Sequence, residues 1–553
     1  MKNERILFVI PPYFSADDYI TSDRSRVLPP FTVPYGILSL DAYLKRQCGH
    51  QVSCYIVDLN ITLKNIVDSV EKQDCFTAFS ASLTAAIHDF EPSMIGISAL
   101  FNISFQYIEE IAKTAKQADD RLLILTGGGL PSAAYQQVLR LCPSVDAVCK
   151  GEGELPLADL VMADDRAALL ESHPSWITRI GLSSNKKPEP RFIKNLDEIP
   201  MLNYEMIDLD NYNSRSLDKR YSGIKKREMA IHTSRGCPFS CVFCSNPFLH
   251  GKKMRAMSVE RVIDEVRVMK EQHGLTVLLI EDDHFLFDTQ RAKKILHGLS
   301  ELNIRIEFPN GIAVYAIDEE LAALLYQAGV STVALAIESG SDYVLNKIIK
   351  KPLKTNIVKS KVEMLRKQGV LSHAFIVVGL PGEQASHRRQ TLELLLDIGV
   401  DWAHVFCAVP IFGSRLHEIC VENGYIENSN FLDHINTKSV IKAPGVDPQE
   451  IEKTAYQINL LVNFVHNFNL KTGNYQTAIQ YFSNVAEKYP QHAFAHHALA
   501  RAYAGAGRSH DADASRDRFE RILLHDPWWR AQAEAFGLIG DATRIGRESP
   551  IVA

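Results

Sequence analysis

Three of the ten cysteines stand apart from the rest. Cys237, Cys241 and Cys244 close the stretch His232-Thr-Ser-Arg-Gly-Cys-Pro-Phe-Ser-Cys-Val-Phe-Cys244. Spaced C-x3-C-x2-C on a tight loop, three thiolates can serve one metal cluster. A [4Fe–4S] centre ordinarily takes four cysteines. With three, one iron keeps a coordination position open for a substrate or cofactor. The competing reading is a Cys3His zinc site with His232 or His250 as fourth ligand. Zinc modules usually pair two such motifs tens of residues apart, and no second pair lies nearby. Inert burial is disfavoured, because three cysteines in so short a loop make a poor core.

Such a loop needs a scaffold, and the chain has material for several. At roughly 150 residues per domain, a chain of 553 residues suggests three or four domains. Apolar residues make up 46% and charged residues 23%, which excludes wholesale disorder. With a net charge of −6 a general nucleic-acid binder, which needs a concentrated basic face, is not expected; local basic patches stay open. No apolar run approaches the ~18 residues that span a bilayer. The opening apolar run is cut short by Pro11-Pro12, which reads as a first strand rather than a signal peptide. Sparse, scattered cysteines outside the loop fit reduced thiols and a cytoplasmic location.

To about residue 170, short Ile/Val/Leu runs at 5–10, 51–57, 94–99, 121–126 and 145–149 alternate with helical periodicity at 35–46, 103–118 and 133–141. This predicts a Rossmann-like α/β domain with a parallel sheet, whose ligands bind beyond the carboxyl ends of the strands. Residues 171–225 read as a connector. From 226 to 425 six more βα units follow, with strands at 229–234, 276–281, 304–308, 332–338, 373–378 and 404–409, and the cysteine loop leaves the first of them. They predict a partial (β/α)6 barrel with its chemistry at the strand C-termini. A linker at 426–450 leads to an all-α tail, 451–553. There Gly473 and Gly507, and Ala478 and Ala512, recur at an interval of about 34 residues, and Phe482 and Pro490 complete a tetratricopeptide-like pattern. The second copy reaches Pro527 three residues late. Two imperfect copies are too few for a free-standing solenoid, so the tail is expected to lean on the rest of the chain.

Cys237, Cys241 and Cys244, with Phe243 before the last cysteine, resemble the cluster loop of radical S-adenosylmethionine (SAM) enzymes over about residues 225–425. The resemblance implies a [4Fe–4S] cluster whose open iron chelates SAM, and electron-driven cleavage of SAM to methionine and a 5′-deoxyadenosyl radical. It further implies SAM contacts from the strand-end acids Glu281-Asp282-Asp283, of which Asp282 is favoured, from Glu338 and Ser339 after the fourth strand, and from Val378-Gly379 after the fifth. Read without it, each of these is a helix-capping acid or a Gly-Pro turn.

The first domain resembles the cobalamin-binding domain that precedes many radical SAM barrels. Ser98-x-Leu100 and Gly127-Gly128-Gly129 stand at neighbouring strand ends, where small residues let the cofactor's nucleotide tail pass, and Glu152 lies in Gly151-Glu-Gly-Glu154. The chain departs from the pattern after the first strand. Pro12-Tyr13-Phe14-Ser15-Ala16-Asp17 replaces the D-x-H-x-x-G loop, so no histidine is offered to cobalt there, and Tyr13 becomes a candidate neighbour of the corrin. Cobalamin bound without a histidine ligand, or a fold that has lost the cofactor, are the two outcomes.

The resemblances together imply a cobalamin-dependent radical SAM enzyme that methylates an unactivated carbon through methylcobalamin. A cobalamin-using cyclase or rearrangement enzyme is the nearer rival, and a non-catalytic iron–sulfur and repeat-containing binding protein the more distant one. Implied partners are a small-molecule, carrier-bound or peptide-bound substrate, a reductase or flavodoxin-type electron donor, and a protein docked on the helical tail.

Overall fold

The computed structural model describes residues 4–16, 31–69, 74–212, 227–426 and 438–539. Parts of both expected linkers, 213–226 and 427–437, lie outside them. The chain forms two compact units, one of residues 1–215, 225–310 and 410–434, the other of 216–224, 311–409 and 435–553.

In the first unit, strands β1 (Glu4–Ile10), β2 (Val52–Asp58), β3 (Met94–Ser98), β4 (Leu123–Gly127) and β5 (Ala147–Cys149) run parallel in the order β2-β1-β3-β4-β5. Residues Ile6–Ile10 of β1 are all buried, as a strand covered on both faces must be. Helices α1 (Tyr35–Cys48), α2 (Leu59–Asp68), α3 (Cys75–Phe90), α4 (Phe105–Ala118), α5 (Tyr135–Leu141) and α6 (Glu154–Met162) connect and cover the sheet. Asp58 and Asp74 start α2 and α3 by accepting backbone N–H groups with their side chains. The order reverses between β1 and β3, which makes their carboxyl ends the switch point where α/β sheets open a ligand crevice.

The span expected as connector begins with structure belonging to this sheet. Strand β6 (Trp176–Thr178) pairs antiparallel with β5. The expected helix at 133–141 starts later, at Tyr135, because a separate five-residue helix over Gly129–Ala133 ends at Ala134 before it.

The same unit holds a second sheet, ordered β11-β10-β7, of β7 (Glu228–Ile231), β10 (Val277–Ile280) and β11 (Arg305–Glu307), all parallel. A two-residue ladder of β8 (Ser234–Arg235) and β9 (Arg255–Ala256) flanks the cysteine loop. Helices α7 (Val259–His273) and α8 (Thr289–Ser300) open on the side-chain caps Ser258 and Asp288.

The second unit carries a parallel sheet of β12 (Thr332–Glu338), β13 (Leu371–Val378) and β14 (Trp402–Cys407) in that order, with α9 (Glu319–Gln327), α10 (Val358–Lys367) and α11 (Ala385–Ile398) alongside the strands. The six strands expected of a (β/α)6 series are thus present, three in each unit. The tail is helical: α12 (Pro448–Leu460), α13 (Tyr475–Lys488), α14 (Ala493–Gly505), α15 (Ser509–His525) and α16 (Pro527–Ala535). It packs on β14. Asn463, in a π-helical turn after α12, donates to Ala403 O at 2.8 Å and accepts from Ala403 N at 2.7 Å, completing an edge that no further strand covers among the described residues. Among the described residues no helix is long and apolar enough to cross a membrane.

Candidate functional site

The cysteine loop is fastened from both sides. Cys237 N donates to Gly251 O at 3.3 Å, and Cys244 N closes a turn on Cys241 O at 3.0 Å. Gly236 passes so close to the returning strand that a Cβ there would lie 2.6 Å from Lys253 O. Burial, then the neighbouring Cys241, Asp283 and Cys237, push the Cys244 thiol up to about 12, while Asn246 N–H opposes them. Among the described residues no three His, Cys, Asp or Glu side chains are grouped as they would be round a single ion. The two imidazoles of the zinc reading have other partners: His250 Nδ1 lies 2.8 Å from Glu152 Oε1, and His232 Nε2 lies 3.4 Å from Glu281 Oε2.

The three acids ending β10 divide their work. Asp282 is buried and accepts from Thr233 N, Thr233 Oγ1 and Ser234 Oγ, each at 2.6 Å. It ties β10 to the segment leading into the cysteines, which leaves the acid favoured from sequence the one most fully engaged by protein. Asp283 braces the loop itself, accepting from Asn246 Nδ2 at 2.5 Å and Gly236 N at 3.3 Å. Glu281 instead lines a cavity.

That cavity, of about 310 Å³, opens at the switch point and runs down one face of the first sheet. Its floor includes Ile6, Phe8, Gly96 and Leu125, and Leu40, Leu157 and Trp176 are among its other walls. Tyr13, Ser98, Leu100, Gly127, Gly128 and Glu152 all line it. Gly129 does not appear among its walls and starts the adjoining five-residue helix. Ser98 and Gly127 are register partners on β3 and β4. Gly128 is at φ 100°, and a Cβ there would sit 2.6 Å from Ala99 O. The segment after β1 is pinned by Asn60 Oδ1, which accepts from Tyr13 N at 2.7 Å, by Ser104 Oγ, which donates to Pro12 O, and by Tyr107 Oη, which donates to Phe14 O. Tyr13 meets Phe101 edge-on at 5.2 Å. Burial first, then Asp58 and Glu281, raise its phenol far above the ordinary range and keep it neutral.

The same cavity is walled by His232, Arg235, Leu249 and His250, from either side of the cysteines. Behind this wall lies an ion network. Arg255 reaches Glu152 with two nitrogens at 2.6 and 2.8 Å, and Arg235 Nη1 lies 2.8 Å from Glu154 Oε1 and 3.3 Å from Glu152 Oε2. Ser39 Oγ donates to Glu154 at 2.6 Å. Burial would raise the Glu152 carboxyl, but Arg235, Arg255 and His250 hold it far below the usual carboxylate range. Glu152 therefore faces the cavity with both oxygens already engaged. The acids of Gly151-Glu-Gly-Glu154 were the visible signal; Arg235 and Arg255 were not singled out.

The remaining expected residues belong to the second unit. Glu338 ends β12 at φ 69°. That conformation costs a non-glycine residue on the order of 1–3 kcal/mol and marks functional sites. Its carboxylate accepts from Lys351 Nζ at 3.0 Å. Ser339 Oγ lies 3.3 Å from Thr391 Oγ1 and accepts from Ser341 N. Val378 ends β13, and Gly379 N donates to buried Glu383 Oε2 at 2.5 Å. On the half-buried face of β13 and β14, His404 Nε2 lies 3.2 Å from His373 Nδ1, and His373 Nε2 lies 2.7 Å from Tyr481 Oη of α13. Neither His404 nor Tyr481 carries a motif that would mark this chain of contacts in the sequence.

Two family profiles match the chain: a B12 binding domain over residues 25–161 and the radical SAM superfamily over residues 231–395. An uncharacterised methyltransferase of Pyrococcus horikoshii is 27% identical over 82% of this chain and 91% of its own. Cytidylyl-2-hydroxyethylphosphonate methyltransferase of Streptomyces wedmorensis is 27% identical over 78% and 86%. Anaerobic magnesium-protoporphyrin IX monomethyl ester cyclase of Rubrivivax gelatinosus is 24% identical over 72% and 67%. Among solved structures, the cobalamin-dependent S-adenosylmethionine radical enzyme OxsB with aqua-cobalamin bound has a TM-score of 0.63 at 14% identity over 98% of this chain and 82% of that one. The radical SAM methyltransferase TsrM of Kitasatospora setae, with cobalamin and a [4Fe–4S] cluster bound, has a TM-score of 0.58 at 15% identity over 95% and 100%. These two likenesses concern the fold.

Proposed function

We propose that this chain, which carries a B12-binding domain followed by a radical SAM domain, is a cobalamin-dependent methyltransferase of a small-molecule substrate. One observation carries the reading: a single cavity at the switch point is lined both by the small residues at the sheet's carboxyl edge and by His232, Arg235 and His250 beside the cysteines. The residues fit the groups they would hold. Cys237, Cys241 and Cys244 offer three thiols on one fastened loop, and the apolar slot floored by Gly96 is a cradle that side chains leave empty. When bound, the cluster would supply the electron that cleaves SAM to its radical, and the corrin would supply the methyl group.

The chain's own residues set the conditions. Tyr13 lines the cavity where a histidine-bearing loop would be, so no imidazole is offered to cobalt at that point. Glu281 lines the cavity wall. Glu338, Ser339, Val378 and Gly379, at the ends of β12 and β13, stay the candidates for the nucleoside of SAM. The expected domain limits, 1–170, 171–225, 226–425, 426–450 and 451–553, stay part of the proposal, with β6 assigned to the first domain. A carrier protein supplies the electrons, and the reduced thiols suit the cytoplasm.

The test is anaerobic reconstitution with iron, sulfide and cobalamin, followed by incubation with methyl-labelled SAM and reductant. Formation of 5′-deoxyadenosine and transfer of label to the bound corrin are expected, and both should vanish in the Cys237→Ala/Cys241→Ala/Cys244→Ala variant. A loaded enzyme that never methylates its corrin would overturn the methyltransferase reading. It would favour the ring-closing chemistry named for the Rubrivivax gelatinosus relative.

A further inference from the structure

Beside the cysteine loop lies a second cavity, of about 650 Å³, with a different character. Arg191, Lys194, Lys252, Lys253 and Arg255 line it, and among the described residues of its wall Glu198 is the one acid. Arg255 is neutralised internally by Glu152, and Arg191 pairs with Asp159 at 3.2 Å. Lys194, Lys252 and Lys253 are exposed. This cationic face belongs to a chain whose net charge is −6, so it is not the overall charge showing through.

Its position gives it a use. Lys252 Nζ donates to Ser240 Oγ at 2.9 Å, and Ser240 stands between Cys237 and Cys241. Gly251 O receives the N–H of Cys237. Pro238 and Ser240 are exposed, so the outer surface of the loop is open to solvent where the lysines begin. Each SAM cleaved consumes one electron, giving methionine and the 5′-deoxyadenosyl radical, and that electron must enter at the cluster from outside.

We infer that the face formed by Lys194, Lys252 and Lys253 docks an acidic, low-potential electron-carrier protein and brings its redox centre against the loop between Cys237 and Cys241. The inference rests on the reading of those cysteines as cluster ligands. Opposite charge would raise the encounter rate and orient the carrier, an effect that falls with ionic strength.

The experiment compares two reductants on the reconstituted full-length protein, with 5′-deoxyadenosine from SAM as the readout and no substrate needed. Flavodoxin kept reduced by its NADPH-dependent reductase is the probe, and dithionite is the small reductant that needs no docking. The variant Lys194→Glu/Lys253→Glu leaves the Lys252–Ser240 contact in place. Its flavodoxin-driven rate should fall about tenfold and lose its dependence on salt. Its dithionite-driven rate should stay within about twofold of wild type, and Lys194→Arg/Lys253→Arg should behave as wild type. Unchanged flavodoxin turnover in the charge-reversed variant, or an equal loss with both reductants, overturns the docking face alone. Absence of 5′-deoxyadenosine with either reductant in the wild type overturns the reading of the cysteines, and the docking face with it.

Discussion

Gly96 sets the depth of the slot under the switch point. A Cβ built there would lie 2.9 Å from Phe8 Cδ1, and Gly96 and Phe8 both line the cavity. Gly96→Val puts three carbons into that space on a strand that tolerates β-branching. The expected result is at least about a tenfold loss of corrin retention with iron and sulfide content unchanged; equal loss of both cofactors would mean the strand itself had failed. Glu152 is the opposite case, a residue that holds charge rather than space. Removing it takes the carboxylate from Arg255 and leaves Arg235 with Glu154 alone in a buried site, and breaking such a network costs about 3–5 kcal/mol. Denaturant unfolding of Glu152→Ala should show that loss, and a change under about 1 kcal/mol would mean water replaces the carboxylate. Single residues were unevenly legible. The cysteine spacing is local, so it could be read. Glu152 was picked out as part of a glycine-rich motif, but its partner Arg255 lies 103 positions away, and no periodicity links the two. Among the three adjacent acids the sequence does not announce which faces inward; the three donors to Asp282 come from Thr233 and Ser234 on another strand's exit.

At the scale of elements, burial of a titratable group at a strand exit gives the second unit a pH-dependent stability. Glu383 follows β13 and is fully buried. Burial pushes its carboxyl up to about 7, against the opposing pull of Gly379 N–H and Arg388. A carboxyl raised in the folded state binds its proton there at pH values where the unfolded chain has released it. Stability from this group is therefore complete below pH ~4.5 and is lost as pH climbs to about 7, by up to about 3 kcal/mol. Glu383→Gln, an uncharged isostere, should remove that slope and be the more stable protein at pH 8. Thermal unfolding at pH 5.5 and 8 checks this, and parallel pH profiles for the two proteins would place the charge elsewhere. The elements themselves were largely legible, because β12 and α9 bury alternating and amphipathic faces that hydrophobic periodicity reports directly. Strand β6 was not legible. Three residues carry no period, and its pairing with β5 is a long-range event. Helices α2 and α3 lie outside the expected elements; Ser, Thr and Ala dilute the apolar face of α3.

At the scale of the chain, the tail decides whether the second unit can stand. The repeat period matches two helix starts, Tyr475 of α13 and Ser509 of α15, yet the period could not say what those helices rest upon. They rest on β14. The Asn463 amide completes both free backbone groups of Ala403, and Trp402 stacks on Tyr481 at 5.5 Å and meets Phe464 edge-on at 5.4 Å. Tyr481 also holds His373, which holds His404. Deleting residues 447–553 would bare an edge strand and the large aromatic face beside it, the conditions for intermolecular pairing. The truncated chain is expected to be insoluble, or soluble only as aggregates without SAM cleavage under dithionite. The milder Asn463→Leu, which orphans one buried donor and one acceptor, should stay soluble and lose about 2–4 kcal/mol. A truncated chain that remains monomeric and forms 5′-deoxyadenosine at the wild-type rate would show the helices to be a detachable docking module, and the case for a partner protein on the tail would then be the stronger one.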